Sequence, residues 1–329
     1  MSIIGLDIGG TKCVVVKATD AGVIERSIRF DTMAVGATLD RLFAAVAELQ
    51  PGLAPVFGVS CGGPLDSTTG LILSPPNLPG WDRIPICAEL EQRFGGRAFL
   101  MNDANAGALA EWRFGAGQGC RNVVFLTYGT GMGSGIICDG RMYEGTNGNA
   151  GEVGHVRLSP EGPVGYNKAG SFEGWCSGAG IGRFAQAEAR KRGGKVAFNP
   201  GKIEDITARH VAEAAEAGDA VAIEVLAESG RRLGQALALL IDVLNPEVIV
   251  LGAVYRRAQC WLEPHMRPVL EAEALPGSLE VCRIVPTALG EDIGTYAAIA
   301  IAVYHAGGFA RDVRGAVDTA LAPLATQHA

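Results

Sequence analysis

Ile3-Ile4-Gly5-Leu6-Asp7-Ile8-Gly9-Gly10-Thr11-Lys12-Cys13-Val14-Val15-Val16 decides the fold. Residues 3–6 are apolar and read as a strand, residues 7–11 as a turn, and residues 13–18 as a second strand. Gly9 and Gly10 at the bend let backbone N–H groups approach phosphate oxygens that a side chain would hold off. Thr11 and Lys12 add a hydroxyl and an ammonium as phosphate donors, and Asp7 is placed to hold Mg2+ directly or through water. The stretch is not a P-loop, since GxxxxGK followed by Ser or Thr is missing. Nor is it a dinucleotide fingerprint, since no helix follows. By itself it is equally a plain Gly-rich hairpin turn.

The same device returns at Gly129-Thr130-Gly131-Met132-Gly133-Ser134-Gly135, between stretches 122–128 and 136–138 that read as strands. One such turn is weak evidence. Two, each between strands at the start of a half, point to phosphate-binding turns that close on one nucleotide from both sides, with Thr130, Gly131 and Gly133 as donors. Gly252, after the apolar run Val248–Leu251, is a third candidate, facing adenosine, or else an ordinary strand end. Asn102-Asp103-Ala104-Asn105 lies between a strand and a helix. There Asp103 is either a carboxylate base that accepts a hydroxyl proton during phosphoryl transfer, or only a helix N-cap. Glu152, His155 and Glu173 fall in a Gly-rich stretch, 145–182, that reads as one long ordered loop. With Asn77 and Asn102 they would match a polyol; the alternatives are a structural histidine and surface ion pairs.

Outward from these turns, helical spacing runs through 38–49 after a possible N-cap at Thr38, and again through 104–114, 181–192, 207–216, 219–244 and 293–305. Residues 23–30, 56–60 and 98–101 read as further strands, and Gly140-Arg141 as a hairpin turn. The Ala-rich end either extends the last helix or frays. Strand, turn and strand followed by alternating helix and strand, twice over, predict two α/β domains with a cleft between them. The expected division is 1–110 plus 293–329 against 111–292.

The chain has 329 residues, enough for two domains, and 48% of them are hydrophobic. Its net charge of −7 with no basic run makes nucleic acid an unsuitable partner, and only 6% aromatic residues offer no stacking platform. Because residues 3–7 already read as a strand, no secretion signal is expected, and no apolar stretch is clean enough to span a membrane. Eight scattered cysteines without a CxxC pair suit reduced thiols and a cytoplasmic location.

The ordered set of motifs resembles the ROK family of sugar kinases, relatives of bacterial glucokinase. The matching stretches are Leu6–Lys12, Gly62-Gly63-Pro64-Leu65-Asp66, Asn77-Leu78-Pro79-Gly80-Trp81, Asn102-Asp103-Ala104-Asn105-Ala106, Gly129–Gly135, Glu152-Val153-Gly154-His155 and Glu173. The resemblance implies a two-domain actin-like ATPase (ribonuclease H-like) fold and ATP-dependent phosphorylation of a hexose or N-acetylhexosamine. It implies Asp103 as catalytic base. Gly63, Asn77, Asn102, Glu152, His155 and Glu173 would then contact the sugar, and Gly10, Thr11, Lys12, Thr130, Gly131 and Gly133 would cradle the phosphates. Mg2+ and a homodimer are implied in the same way.

One departure stands out. The family's CxCGxxGC zinc motif is replaced here by Val164, Tyr166 and Ser171 at the first, second and last of the cysteine positions, so no structural zinc is expected. His155, a zinc ligand in the family, then needs another hydrogen bond to orient it, from Tyr166 or a backbone carbonyl. The helix-turn-helix that family repressors carry ahead of the first strand is not expected either. Two further readings stay open: a non-catalytic sugar sensor of the same fold, and an actin-like ATPase acting on a protein.

Overall fold

The computed structural model describes residues 2–50 and 52–307; the Ala-rich end beyond them lies outside the described residues. The chain divides into two units, one holding the residues up to Arg113 together with those from Gly294, the other Phe114–Ile293.

The first unit begins with strands β1 (Ile3–Ile8), β2 (Lys12–Ala18) and β3 (Ile24–Asp31). Helix α1 (Val35–Glu48) leads to β4 (Val56–Cys61). The short pair β5 (Leu65–Asp66) and β6 (Leu71–Ile72) precedes α2 (Ile86–Phe94), β7 (Arg97–Asn102) and α3 (Asp103–Phe114). The sheet order is β3-β2-β1-β4-β7, antiparallel across the first three strands and parallel across β1, β4 and β7. Strands covered on both faces are buried without alternation, as β4 is along its whole length. Helix Ile293–His305 packs on the sheet through glycine: a Cβ on Gly58 would lie 2.7 Å from the Ala302 nitrogen, and one on Gly5 3.0 Å from the Ala298 Cβ. Thr38 is not the cap of α1. It lies inside the first turn, fully buried, and its hydroxyl accepts the Met33 N–H at 2.9 Å.

The second unit repeats the plan. Strands β8 (Val123–Leu126), β9 (Ser134–Cys138) and β10 (Arg141–Met142) form an antiparallel meander. Asp139 and Gly140, both at positive φ, make the turn between β9 and β10, so Arg141 already belongs to the strand. The expected loop 145–182 is built of small elements: a 3-10 turn at Val153–His155, the hairpin β11 (Val164–Gly165) and β12 (Lys168–Ala169), helix α4 (Phe172–Cys176) and the start of α5 (Gly178–Lys191). Ser171 and Ser177 cap these two helices, accepting the Gly174 and Gly180 N–H groups. Then come α6 (Ala208–Glu216), α7 (Ala220–Leu244), β13 (Val248–Leu251), α8 (Ala253–Glu273), α9 (Pro276–Val281) and β14 (Arg283–Pro286), before Ile293–His305 as α10. The sheet order β10-β9-β8-β13-β14 mirrors that of the first unit, with β8, β13 and β14 parallel. Among the described residues no helix is long and apolar enough to cross a membrane.

Candidate active site

In the first unit, register places the predicted residues. Ile8 pairs with Cys61 and Cys61 with Asn102, so three parallel strands end side by side. Directly after them in the chain come Gly9–Lys12, Gly63 and Asp103. This is the edge of an open α/β sheet at which ligands bind. The Gly9 turn is closed by the Gly9 N–H donating to the Lys12 carbonyl at 3.1 Å and by the Thr32 hydroxyl donating to the Gly9 carbonyl at 2.6 Å. Thr32 carries no signal in the sequence, because its part depends on β3 lying beside β2. Asn77 is brought onto the same turn: a Cβ on Gly10 would lie 2.5 Å from the Asn77 carbonyl oxygen. Leu78 and Trp81 anchor the Asn77 loop by sinking into the core, leaving Asn77 exposed.

Asn102 settles how α3 is capped. Its Oδ1 accepts the Ala104 N–H at 2.8 Å and the Asn105 N–H at 3.2 Å. Capping therefore falls to Asn102, and Asp103 is the first helical residue, with an exposed side chain. The Nδ2 of Asn102 faces Gly63, 3.7 Å from where a Cβ there would be. Asp7, at the end of β1, has its pKa raised to about 6, first by burial and then by the charge of Asp103, against the opposing pull of Lys12 and Arg29. Its carboxylate also rests against Gly294, where any Cβ would collide with it. A buried carboxylate beside a second one is a donor set that suits a hard divalent cation, so these residues fit Mg2+.

In the second unit, the Gly129–Gly135 turn is pinned through Thr127, whose N–H donates to the Gly133 carbonyl and whose Oγ1 accepts the Gly133 N–H, both at 3.0 Å. The Gly178 and Ala179 N–H groups at the start of α5 donate to the carbonyls of Gly129 and Thr130. Gly252 is the N-cap of α8 and approaches the Thr127 carbonyl so closely that no Cβ would fit. Glu173 joins this group: its Oε2 accepts the Met132 N–H at 3.1 Å and would lie 3.0 Å from a Cβ on Gly131. Gly154 packs on Glu173 as well, which brings the Glu152–His155 segment alongside. Glu152 is exposed and His155 half-buried. The His155 ring is held by a stack on Tyr166, with centroids 4.0 Å apart and planes at 28°. The sequence points to a hydrogen bond from Tyr166 or a backbone carbonyl; this contact with Tyr166 is a ring stack.

A family model described as the ROK family matches residues 3–304. The chain belongs to the ROK family. It is 32% identical to the glucokinase of Thermotoga maritima over 94% of this chain and 99% of that protein. It superimposes on a ROK family glucokinase from Streptomyces griseus, solved with glucose and AMPPNP, with TM-score 0.71 at 32% identity, covering 91% of this chain and 98% of that one. A ROK family transcriptional regulator, a homologue of the Escherichia coli MLC protein, aligns with TM-score 0.79 at 25% identity over 95% of this chain and 80% of that one. The ROK fold is the actin-like ATPase fold, and both units of this chain are mixed α/β.

The zinc that the family motif implies does not fit the residues present. Val164, Tyr166 and Ser171 supply no thiolate, and Cys176 is buried with its thiol directed to the Ser229 carbonyl at 3.5 Å. Among the described residues no group of three or more His, Cys, Asp or Glu is arranged to hold a metal.

Proposed function

We propose that this ROK chain is an ATP-dependent kinase that phosphorylates a hydroxyl of a hexose or N-acetylhexosamine. One observation carries the reading. Asn102 takes over the capping of α3, so the Asp103 carboxylate stands exposed at the sheet edge that bears the Gly9–Lys12 turn. Asp103 takes the proton of the sugar hydroxyl, whose oxygen attacks the γ-phosphorus while the bond to the bridging β-oxygen breaks and ADP leaves. Gly9, Gly10, Thr11 and Lys12 donate to phosphate oxygens, as do Thr130, Gly131 and Gly133, with Gly252 on the adenosine side. Mg2+, held by Asp7, would neutralise charge that develops on the phosphates. Gly63, Asn77 and Asn102, with Glu152, His155 and Glu173, hold the sugar hydroxyls and fix which one is presented.

The test is ADP release from Mg-ATP against glucose, mannose, fructose, allose, N-acetylglucosamine and N-acetylmannosamine, with wild type and Asp103→Asn. Strong turnover with one sugar, reduced about 10²–10⁴-fold in the variant with sugar binding retained, is the expected result. Near-normal turnover by Asp103→Asn would place the base elsewhere. Sugar binding without any turnover by wild type would favour a sensor, the role suggested by the regulator's similarity.

A further inference from the structure

Between His155 and Glu173 the chain makes a short hairpin. Val164 pairs with Ala169 and Gly165 with Lys168, leaving Tyr166 and Asn167 as a two-residue turn. Both turn residues lie in the left-handed region, at φ 50° and 57°. Two positive φ values are what a type I′ hairpin requires, and Asn-Gly or Asp-Gly would satisfy it without strain. A tyrosine at such a position costs about 1 kcal/mol. A contact made by its ring explains why it is tolerated, and that contact is the 4.0 Å stack on His155.

The hairpin grips this region at three more points. Lys168 Nζ donates to the His155 carbonyl at 2.7 Å. Gly165 lies flat on Glu173, where a Cβ would come within 2.9 Å of the Glu173 Cβ and 2.6 Å of the Gly174 nitrogen. Ser171 ties the two together, its hydroxyl donating to the Gly165 carbonyl at 3.2 Å and accepting the Gly174 N–H at 3.1 Å. The hairpin therefore touches both the His155 segment and Glu173.

We propose that the β11–β12 hairpin is a metal-free clip in which Tyr166 is the positioning residue for His155, so that ring stacking does the orienting that metal ligation does elsewhere. The proposal rests on the sugar-kinase reading. Stacking takes up a face of the ring and neither of the nitrogens in its plane, so His155 is left able to donate or accept toward a sugar hydroxyl. By fixing that ring, Tyr166 becomes a determinant of how tightly the sugar is held.

The experiment compares wild type, Tyr166→Gly and Tyr166→Phe. Glycine suits the turn and removes only the ring; phenylalanine keeps the ring and removes only the hydroxyl. For the sugar found to be phosphorylated, Tyr166→Gly should raise the sugar KM and the calorimetric Kd about tenfold or more. Its KM for ATP and its unfolding temperature should stay near those of wild type. Tyr166→Phe should restore sugar affinity. A Tyr166→Gly protein with unchanged sugar affinity overturns the proposal, as does a Tyr166→Phe protein as defective as the glycine variant. One zinc per purified chain that survives dialysis against a mild chelator overturns it as well. If wild type binds sugar and turns none over, the kinase reading fails, while the Kd comparison still decides the clip.

Discussion

At Asp7, burial acts first and the charge of Asp103 second to raise the pKa from 3.8 to about 6. Between those two values the unfolded chain has given up the proton and the folded chain still holds it. Stability contributed by the protonated form is therefore present below about pH 4 and is lost as pH rises through 6. The full difference amounts to about 3 kcal/mol. Asp7→Asn should accordingly unfold at a higher temperature than wild type at pH 7.5 without nucleotide, and the gap should close near pH 4. Calorimetric scans at the two pH values check this, and a gap of the same size at both would mean burial of the carboxylate is not the cause. On the kinase reading function runs the other way: an Asp7 that holds Mg2+ would do so ionised, so the KM for Mg-ATP should rise as pH falls below 6 and turnover by Asp7→Asn should be poor throughout. Sequence marked Asp7, because aspartate after an apolar strand and before two glycines is a local pattern. Gly294 and Thr32 were not legible, since each acts on the same turn from a distant part of the chain through tertiary contact alone.

At the scale of elements, the packing of α7 on α8 is set by two glycines one helical turn apart. A Cβ on Gly230 would come within 2.5 Å of the Leu262 carbonyl oxygen, and one on Gly234 within 2.6 Å of that of Met266. Both lie on the buried side of α7, where i and i+4 share a face. Gly234→Ala should therefore destabilise by about 1–3 kcal/mol through overpacking, although alanine is the better helix former by about 1 kcal/mol. Gly36→Ala in α1 is the counterpart, since nothing lies within 4 Å of its Cβ position. It should stabilise by a few tenths of a kcal/mol to about 1 kcal/mol. Urea titrations should show opposite shifts of midpoint; shifts of the same sign would mean that close approach is not what the glycines of α7 serve. Helix α8 itself was hidden in the sequence. Pro264 and Pro268 interrupt it and read as breakers, yet both are exposed, four residues apart on the solvent face. There the carbonyls of Cys260 and Pro264 lose a partner where water is at hand, while Leu262, Met266 and Leu270 keep the buried stripe. The stretch 145–182 was hidden for another reason: turns at positive φ and helices of a few residues leave too little periodicity to read.

At the scale of the whole molecule, two sheets of the same strand order hold a glycine turn each, and this duplication was legible because strand, turn and strand recur with one pattern of apolar residues. The discontinuity of the first unit has a physical consequence for folding. Helix α10 belongs to that unit although Phe114–Ile293 intervenes in sequence. Its residues Ala297, Ala298, Ile299, Ala300, Ile301, Ala302 and Val303 are all buried, on every side of the helix. Gly5 and Gly58 are small so that it can lie on β1 and β4. Contacts between positions so far apart in sequence form late, since a long loop must close first. A fragment of residues 1–113 should thus collapse without a fixed core, bind a hydrophobic dye and exchange its β1 and β4 amides quickly. The same fragment joined by a short flexible linker to residues 290–307 should unfold cooperatively in urea and protect those amides. Cooperative unfolding of residues 1–113 alone would show that the sheet closes its core without α10. The Ala-rich composition of α10 would then need another explanation than the fit of a thin helix onto glycine-bearing strands.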